Sequence, residues 1–137
     1  MKVCLYCGIR LHYPQKLYCS RKCHRLGVQR DWIERWLQGK ETGVKSSNRT
    51  SSRIRVYLIK TRGEKCERCG WSEINPVTKH APVELEHIDG CWDNNKIENL
   101  ILLCPNCHSL TSTFRSLNIG RGRKFRRIGS AATAAVL

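Results

Sequence analysis

In the second half of the chain, one short stretch alternates apolar and polar residues and another is continuously apolar. Residues 83–88, VELEHI, predict a half-buried strand, and LILLC at 100–104 predicts its partner. Turn-forming residues fill 89–99 between them. Pro105 suits the first position of a helix, which the apolar residues that follow extend to about 116. The pattern predicts a β-hairpin followed by a helix.

The first half of the chain has apolar residues at helical spacing instead. DWIERWLQG at 31–39 predicts a helix that Asp31 caps, with its apolar stripe packed onto a neighbouring module. Residues 53–62 predict another short helix, capped by Ser52, with basic side chains on its outer face. Between them, residues 40–52 are rich in serine, lysine and arginine, and we expect a flexible basic linker there.

Four cysteines near the N terminus have the spacing of a structural zinc site. Two residues separate the first pair, eleven residues follow, and three residues separate the second pair. The last spacing places two thiols one helical turn apart, so both can face one tetrahedral ion. His24 is an alternative to Cys23 as a ligand, although we expect it on the surface. The predicted zinc ligands are Cys4, Cys7, Cys19 and Cys23.

A second set of four cysteines brackets the predicted hairpin. Its two pairs each have a two-residue spacing, and 34 residues lie between the pairs. That interval is too long for a simple zinc ribbon, so the metal is expected to clamp the two ends of an inserted structure. Cys91 has no partner at metal-site spacing and is interpreted as a structural or incidental thiol. The predicted ligands of this second structural zinc are Cys66, Cys69, Cys104 and Cys107.

Composition explains why metal is needed. The chain has 137 residues, of which 40% are hydrophobic and 7% aromatic, which is too little for a large core. It begins without an apolar leader and has no run of about 20 apolar residues. We therefore expect a cytoplasmic, reducing location, no membrane association, and thiolates on metal rather than disulfides.

Charge along the chain is basic, then acidic, then basic again, with a net charge of +14. Residues 1–65 hold 16 Lys and Arg against 4 acids, residues 66–110 hold 3 against 7, and residues 111–137 hold 6 against none. Basic flanks attract a polyanion, and an acidic centre suits a hard cation. The plain alternative is a solvated basic surface like that of many RNA-binding proteins.

Four motifs in order resemble the HNH endonuclease family, in the version that carries an embedded four-cysteine zinc site. They are CERC at 66–69, ELEHIDG at 84–90, NNKIENL at 94–100 and CPNCH at 104–108. The resemblance covers residues 66–115 approximately. Short free-standing proteins of this kind are common in bacteriophages and mobile elements.

The resemblance implies roles for four residues. His87 would be the general base, Asn99 would hold the loop behind it, and His108 with Glu86 would bind a catalytic divalent metal. The chemistry agrees, because phosphodiester hydrolysis needs an activated water and a cation on the phosphate. One carboxylate and one imidazole leave an ion open positions, which suits Mg²⁺ or Mn²⁺. The implied substrate is double-stranded DNA.

Each of these residues also has an ordinary interpretation. Glu86 is then a solvent-facing strand residue, Asn99 a turn former and His108 a spare zinc ligand or a surface histidine. Asp89 is interpreted as a turn residue with a supporting role at most. The competing function is a non-catalytic double-zinc protein that binds nucleic acid. A third possible function is that of an HNH protein accessory to a phage packaging terminase.

The predicted fold class is a small α+β protein stabilised by metal. We expect an N-terminal zinc finger at 1–30, a helix and basic linker at 31–62, and a ββα-metal HNH nuclease module at 63–118. A basic, disordered tail at 119–137 is expected to raise affinity for DNA of any sequence.

Overall fold

A computed structural model describes residues 1–14, 17–45 and 49–120. The expected small α+β architecture is confirmed: three helices and two separate two-stranded antiparallel sheets occupy the described residues. Most of the predicted basic tail, from 121 to 137, lies outside those residues. None of the helices in the described ranges is both long and apolar enough to cross a membrane.

Helix α1 runs from Arg21 to Leu37, so the predicted start at Asp31 is wrong. The Ser20 side chain accepts a hydrogen bond from the Cys23 amide at 3.1 Å and caps the helix eleven residues before the predicted cap. Gly27 permits the close approach of Tyr18 to the helix, because a Cβ there would lie 2.6 Å from the Tyr18 ring. The helix therefore crosses the expected boundary at residue 30, and the division into domains stays a prediction.

The stretch expected to be a flexible linker contains a small hairpin. Strand β1, Val44–Lys45, pairs antiparallel with strand β2, Arg49–Thr50, while the connecting residues 46–48 lie outside the described ranges. Gly43 precedes the hairpin with a φ of +75°, a backbone conformation that residues other than glycine rarely adopt. These strands were not predicted, because the stretch is polar and strands of two residues are too short to show a hydrophobic period.

Helix α2, Ser52–Arg62, begins one residue after its cap, which is Ser51 rather than the predicted Ser52. Its basic residues were all expected to face solvent, but two of them donate to backbone carbonyls. Arg55 donates to the Val83 carbonyl at 3.0 Å, and Arg62 donates to the Leu100 carbonyl at 2.7 Å. These arginines attach the helix to the backbone of the second hairpin.

Strand β3, Glu84–His87, pairs antiparallel with strand β4, Leu100–Leu103, as predicted, and Glu86 lies opposite Ile101. Helix α3, Pro105–Ser109, is much shorter than predicted. The Ser109 hydroxyl donates to the Asn106 carbonyl at 2.7 Å, and the Thr111 hydroxyl donates to the His108 carbonyl at 2.9 Å. Such local hydroxyl bonds compete with helix propagation and explain its early end.

One hydrophobic core joins the helices to the β3–β4 hairpin. The Trp stripe of α1 packs there as expected, and Ile54 and Leu58 of α2 are fully buried. The buried members come from both halves of the chain: Ile33, Trp36, Ile54, Leu58, Ala81, Val83, Leu100 and Leu102. A second, smaller cluster surrounds the cysteines of the second quartet.

The core predicts a contrast between two residues of α2. Replacing Leu58, which is 0% exposed, by alanine should lower the free energy of unfolding by about 2–5 kcal/mol through the cavity it leaves. Val56→Ala is the matched control, because Val56 is 51% exposed and should change stability by less than about 0.5 kcal/mol. Urea unfolding of zinc-saturated protein measures both. Equal losses would contradict this placement of the core.

Candidate active site and metal centres

The first four cysteines converge as the spacing predicts. The ligand atoms of Cys4, Cys7, Cys19 and Cys23 all lie within 4.8 Å of one another. The Cys7 and Cys19 sulphurs are 3.6 Å apart, and those of Cys19 and Cys23 are 3.4 Å apart. Tetrahedral zinc with Zn–S bonds of about 2.3 Å would separate its sulphurs by about 3.8 Å. The group therefore fits one zinc ion, with Cys23 rather than His24 in the fourth position.

The second quartet forms a matching site at the base of the β3–β4 hairpin. Its four ligand atoms also lie within 4.8 Å of one another, and the Cys69 and Cys104 sulphurs are 3.8 Å apart. Cys104 caps α3, accepting from the Cys107 amide at 3.4 Å. Glu67, beside Cys66 in the first pair, donates its amide to the Leu102 carbonyl at 2.8 Å. The quartet thus joins the hairpin to the helix that follows it.

In each quartet, the pKa of one thiol is lowered and that of another is raised. Burial opposes ionisation of Cys4, but backbone amides lower its pKa to about 6. The sulphur of Cys23, hydrogen-bonded to Cys19, raises the pKa of Cys19 to about 12. Likewise the pKa of Cys66 is lowered to about 6 by backbone amides against burial, and burial raises that of Cys107 to about 12. Crowded thiolates of this kind repel one another until a divalent cation neutralises them.

His108 and Glu86 form the centre of the candidate active site. The His108 Nε2 atom and the Glu86 Oε2 atom are 2.8 Å apart, and both side chains are largely shielded. Two ligands at right angles on one ion, each bonded at about 2.1 Å, would be about 3.0 Å apart. The distance is that of an ion pair, and it also suits two side chains that could bind one divalent cation.

A second polar side chain binds each member of this pair. The Glu84 carboxylate binds His108 Nδ1 at 2.7 Å, and the Thr113 hydroxyl donates to Glu86 Oε1 at 2.8 Å. Strand alternation explains Glu84, because residues 84 and 86 lie on the same face of β3. Carboxylate support of a metal-binding histidine fixes its ring and raises its basicity. The geometry is that of an organised ligand pair.

Glu84 and Thr113 were not among the site residues predicted from the sequence. The VELEHI alternation that predicted the strand would have placed Glu84 beside Glu86, so a signal for it was present. No sequence pattern indicated Thr113, because the turn after α3 is what brings its hydroxyl to Glu86.

His87 is turned away from this pair toward the loop that follows β3. Its Nε2 atom is 2.9 Å from Oδ1 of Asn95, a residue that is 3% exposed. This contact was not predicted, because Asn95 lies in the stretch 89–99 that was interpreted only as turn-forming. The candidate base is therefore held by a buried amide.

Asn99 makes hydrogen bonds within the same loop. Its Oδ1 atom accepts from the Asp89 amide at 3.1 Å, and its Nδ2 atom donates to the Asn94 carbonyl at 2.8 Å. Burial opposes ionisation of Asp89, but hydrogen bonds from Asn94, the Cys91 amide and Asn99 hold the pKa of its carboxyl below the usual value. Asp89 is thus an ionised organiser of the loop.

The candidate metal pair is open to a substrate. A groove of about 540 Å³ runs past Glu84 and His108 and is bordered by Phe114 and Arg115. Another, of about 360 Å³, lies beside Glu86 and includes Arg68. Within the described ranges, an arginine therefore borders each depression next to the pair.

Part of the chain is similar to a bacteriophage endonuclease. The chain is 54% identical over 57 residues to the H-N-H endonuclease F-TflIV of Escherichia phage T5. The match covers 42% of this chain and 24% of the relative, so the chain spans about a quarter of that protein's length. No protein-family model matches the chain, and no solved structure matches it significantly. The similarity confirms the HNH resemblance for the matched part of the chain.

Two zinc ions should remain in protein washed free of loosely bound metal, because each quartet presents four sulphurs at ligand distance. Mass-spectrometric metal analysis counts them. Cys69→Ser and Cys7→Ser should each reduce the count to about one. Only Cys69→Ser should also increase amide exchange in β3 and β4, since the second quartet anchors that hairpin. A count near one for the unaltered protein would mean that one quartet is not a site.

Proposed function

We propose that this protein is a metal-dependent HNH endonuclease that hydrolyses phosphodiester bonds in double-stranded DNA. The observation that carries the proposal is the 2.8 Å contact between His108 Nε2 and Glu86 Oε2, since Glu86 directly precedes His87, the proposed base. Two zinc clamps would hold the fold, and one catalytic divalent ion, Mg²⁺ or Mn²⁺, would bind at the pair. The F-TflIV relative supports the same activity.

The chain's own residues divide the work of hydrolysis. His87 takes a proton from a water molecule as its oxygen attacks phosphorus and the bond to the leaving oxygen breaks. His108 and Glu86 hold the cation, which supplies charge neutralisation at the phosphate when bound. Asn99 keeps the loop behind His87 in place. Basic residues outside the acidic centre grip the DNA backbone.

A cytoplasmic location and a phage packaging partner belong to the same proposal. The competing function, a non-catalytic double-zinc binding protein, explains the eight paired cysteines and the charge equally well. It leaves the Glu86–His108 pair and its supporting residues without a purpose. Cleavage of supercoiled plasmid in the presence of divalent metals separates the two.

The two histidines should fail differently. His87→Ala should lower the cleavage rate by about 10²–10⁴-fold and recover partly at high pH, where hydroxide replaces the base. His108→Ala and Glu86→Ala should instead recover partly when Mg²⁺ or Mn²⁺ is raised, because they weaken metal binding.

Plasmid cleavage measured against pH and metal concentration tests this assignment. His80→Ala is the matched control, because the His80 side chain is 71% exposed and pairs with Glu64 rather than with the site. Rescue of His87→Ala by metal and of His108→Ala by pH would reverse the two roles. If all three variants cut like the unaltered protein, the endonuclease proposal fails.

Glu84 should act on metal affinity. Glu84→Gln removes the charge that orients His108, so Mn²⁺ should bind about 10- to 100-fold more weakly while both zinc ions stay bound. Calorimetric Mn²⁺ titration of zinc-loaded protein without DNA measures this directly. Glu73→Gln removes the same charge from an exposed position and is the control. Equal weakening in both variants would mean that Glu84 contributes only surface charge.

A further inference from the structure

Asn95 is the most completely bonded polar side chain near the candidate base. It is 3% exposed, and both ends of its amide have partners. Its Nδ2 atom donates to the Thr42 carbonyl at 3.2 Å and to the Asp93 carbonyl at 3.4 Å. Its Oδ1 atom accepts from the Thr50 hydroxyl at 3.1 Å and lies 2.9 Å from His87 Nε2.

These partners determine which way the amide points. Backbone carbonyls only accept hydrogen bonds, so the NH₂ group of Asn95 must face Thr42 and Asp93. The amide oxygen is then directed at His87, and an amide oxygen cannot donate. His87 Nε2 must therefore carry the proton of the neutral ring, which leaves the lone pair on Nδ1.

The residues that hold Asn95 come from outside the HNH motifs. Thr42 precedes strand β1 by two residues, and Thr50 is the last residue of strand β2. The Trp36 indole of α1 donates to the Asn95 carbonyl at 2.8 Å. Gly43 permits the approach, because a Cβ there would lie 2.8 Å from the Asn95 Cβ. The N-terminal half of the chain thus completes the surroundings of His87.

We propose that Asn95 is a positioning residue that keeps His87 in the Nε2–H tautomer, with Nδ1 free to accept the proton of the attacking water. Trp36, Thr42 and Thr50 hold Asn95 in the required orientation. The catalytic part of this inference rests on the proposed nuclease function, whereas the tautomer can be measured without any cleavage.

The test combines ring spectroscopy with kinetics on the full-length, zinc-loaded protein. Long-range ¹H–¹⁵N correlation spectra at a pH of about 8, where imidazoles are neutral, report which nitrogen of His87 carries the proton. Plasmid cleavage gives kcat and KM, and metal analysis verifies that both zinc ions are retained. The variants are Asn95→Ala, Asn95→Asp and Thr50→Val. Thr61→Val is the control, because the Thr61 hydroxyl bonds only within α2.

The unaltered protein should show the Nε2–H tautomer alone. Asn95→Ala should show mixed tautomers and a kcat lowered about 10- to 100-fold, with KM and zinc content unchanged. Asn95→Asp still presents an acceptor oxygen, so it should keep the tautomer and more activity than Asn95→Ala. Thr50→Val should lower kcat less than Asn95→Ala, and Thr61→Val should match the unaltered protein.

Three results would overturn the inference: an Nδ1–H tautomer in the unaltered protein, full kcat in Asn95→Ala, or an unchanged His87 ring in a zinc-loaded Asn95→Ala. If Asn95→Ala does not fold, Asn95→Asp and Thr50→Val decide the matter by the same readouts. An unaltered protein with the Nε2–H tautomer and no plasmid cleavage would support the tautomer assignment and refute the proposed function.

Discussion

A zinc ion bound by the four sulphurs of Cys66, Cys69, Cys104 and Cys107 would join helix α3 to the β3–β4 hairpin. Helix α3 has five residues, which is far too short to be stable alone, and its first residue follows Cys104 directly. His108 is the next residue after Cys107, so its ring direction depends on the quartet. The contact between His108 and Glu86 exists because this clamp brings α3 against β3.

A second constraint acts on the other side of β3, where polar groups are buried. Burial of an amide such as that of Asn95 is costly unless all its hydrogen bonds are formed. The Asn95 amide forms these hydrogen bonds with four residues: Thr42, Thr50, Asp93 and His87. A fully bonded network has one arrangement, and such uniqueness is what a catalytic histidine needs.

The hydrophobic core connects these two regions. Trp36 packs in the core and donates its indole N–H to the Asn95 carbonyl, so a single side chain serves both packing and the polar network. Leu100 and Leu102 of β4 meet α1 and α2 in the same core. The N-terminal helices are consequently part of the structure that supports the hairpin, in addition to carrying basic residues.

The sequence by itself determined the local features of this protein. Cysteine spacing predicted both quartets, alternation predicted β3, an apolar run predicted β4, and the HNH motifs indicated His87, Asn99, His108 and Glu86. The start of α1 and the early end of α3 were not predicted, because they depend on a helix cap and on local hydroxyl bonds. The β1–β2 hairpin was not predicted, because strands of two residues show no hydrophobic period.

Only the tertiary structure revealed how the candidate site is supported. Glu84 and Thr113 approach the metal pair through the docking of α3 and the turn after it. Asn95 meets His87 in a setting completed by residues about 45 to 60 positions earlier in the chain. Contacts between such distant positions follow from packing in three dimensions, and hydrophobic periodicity and motif spacing carry no record of them.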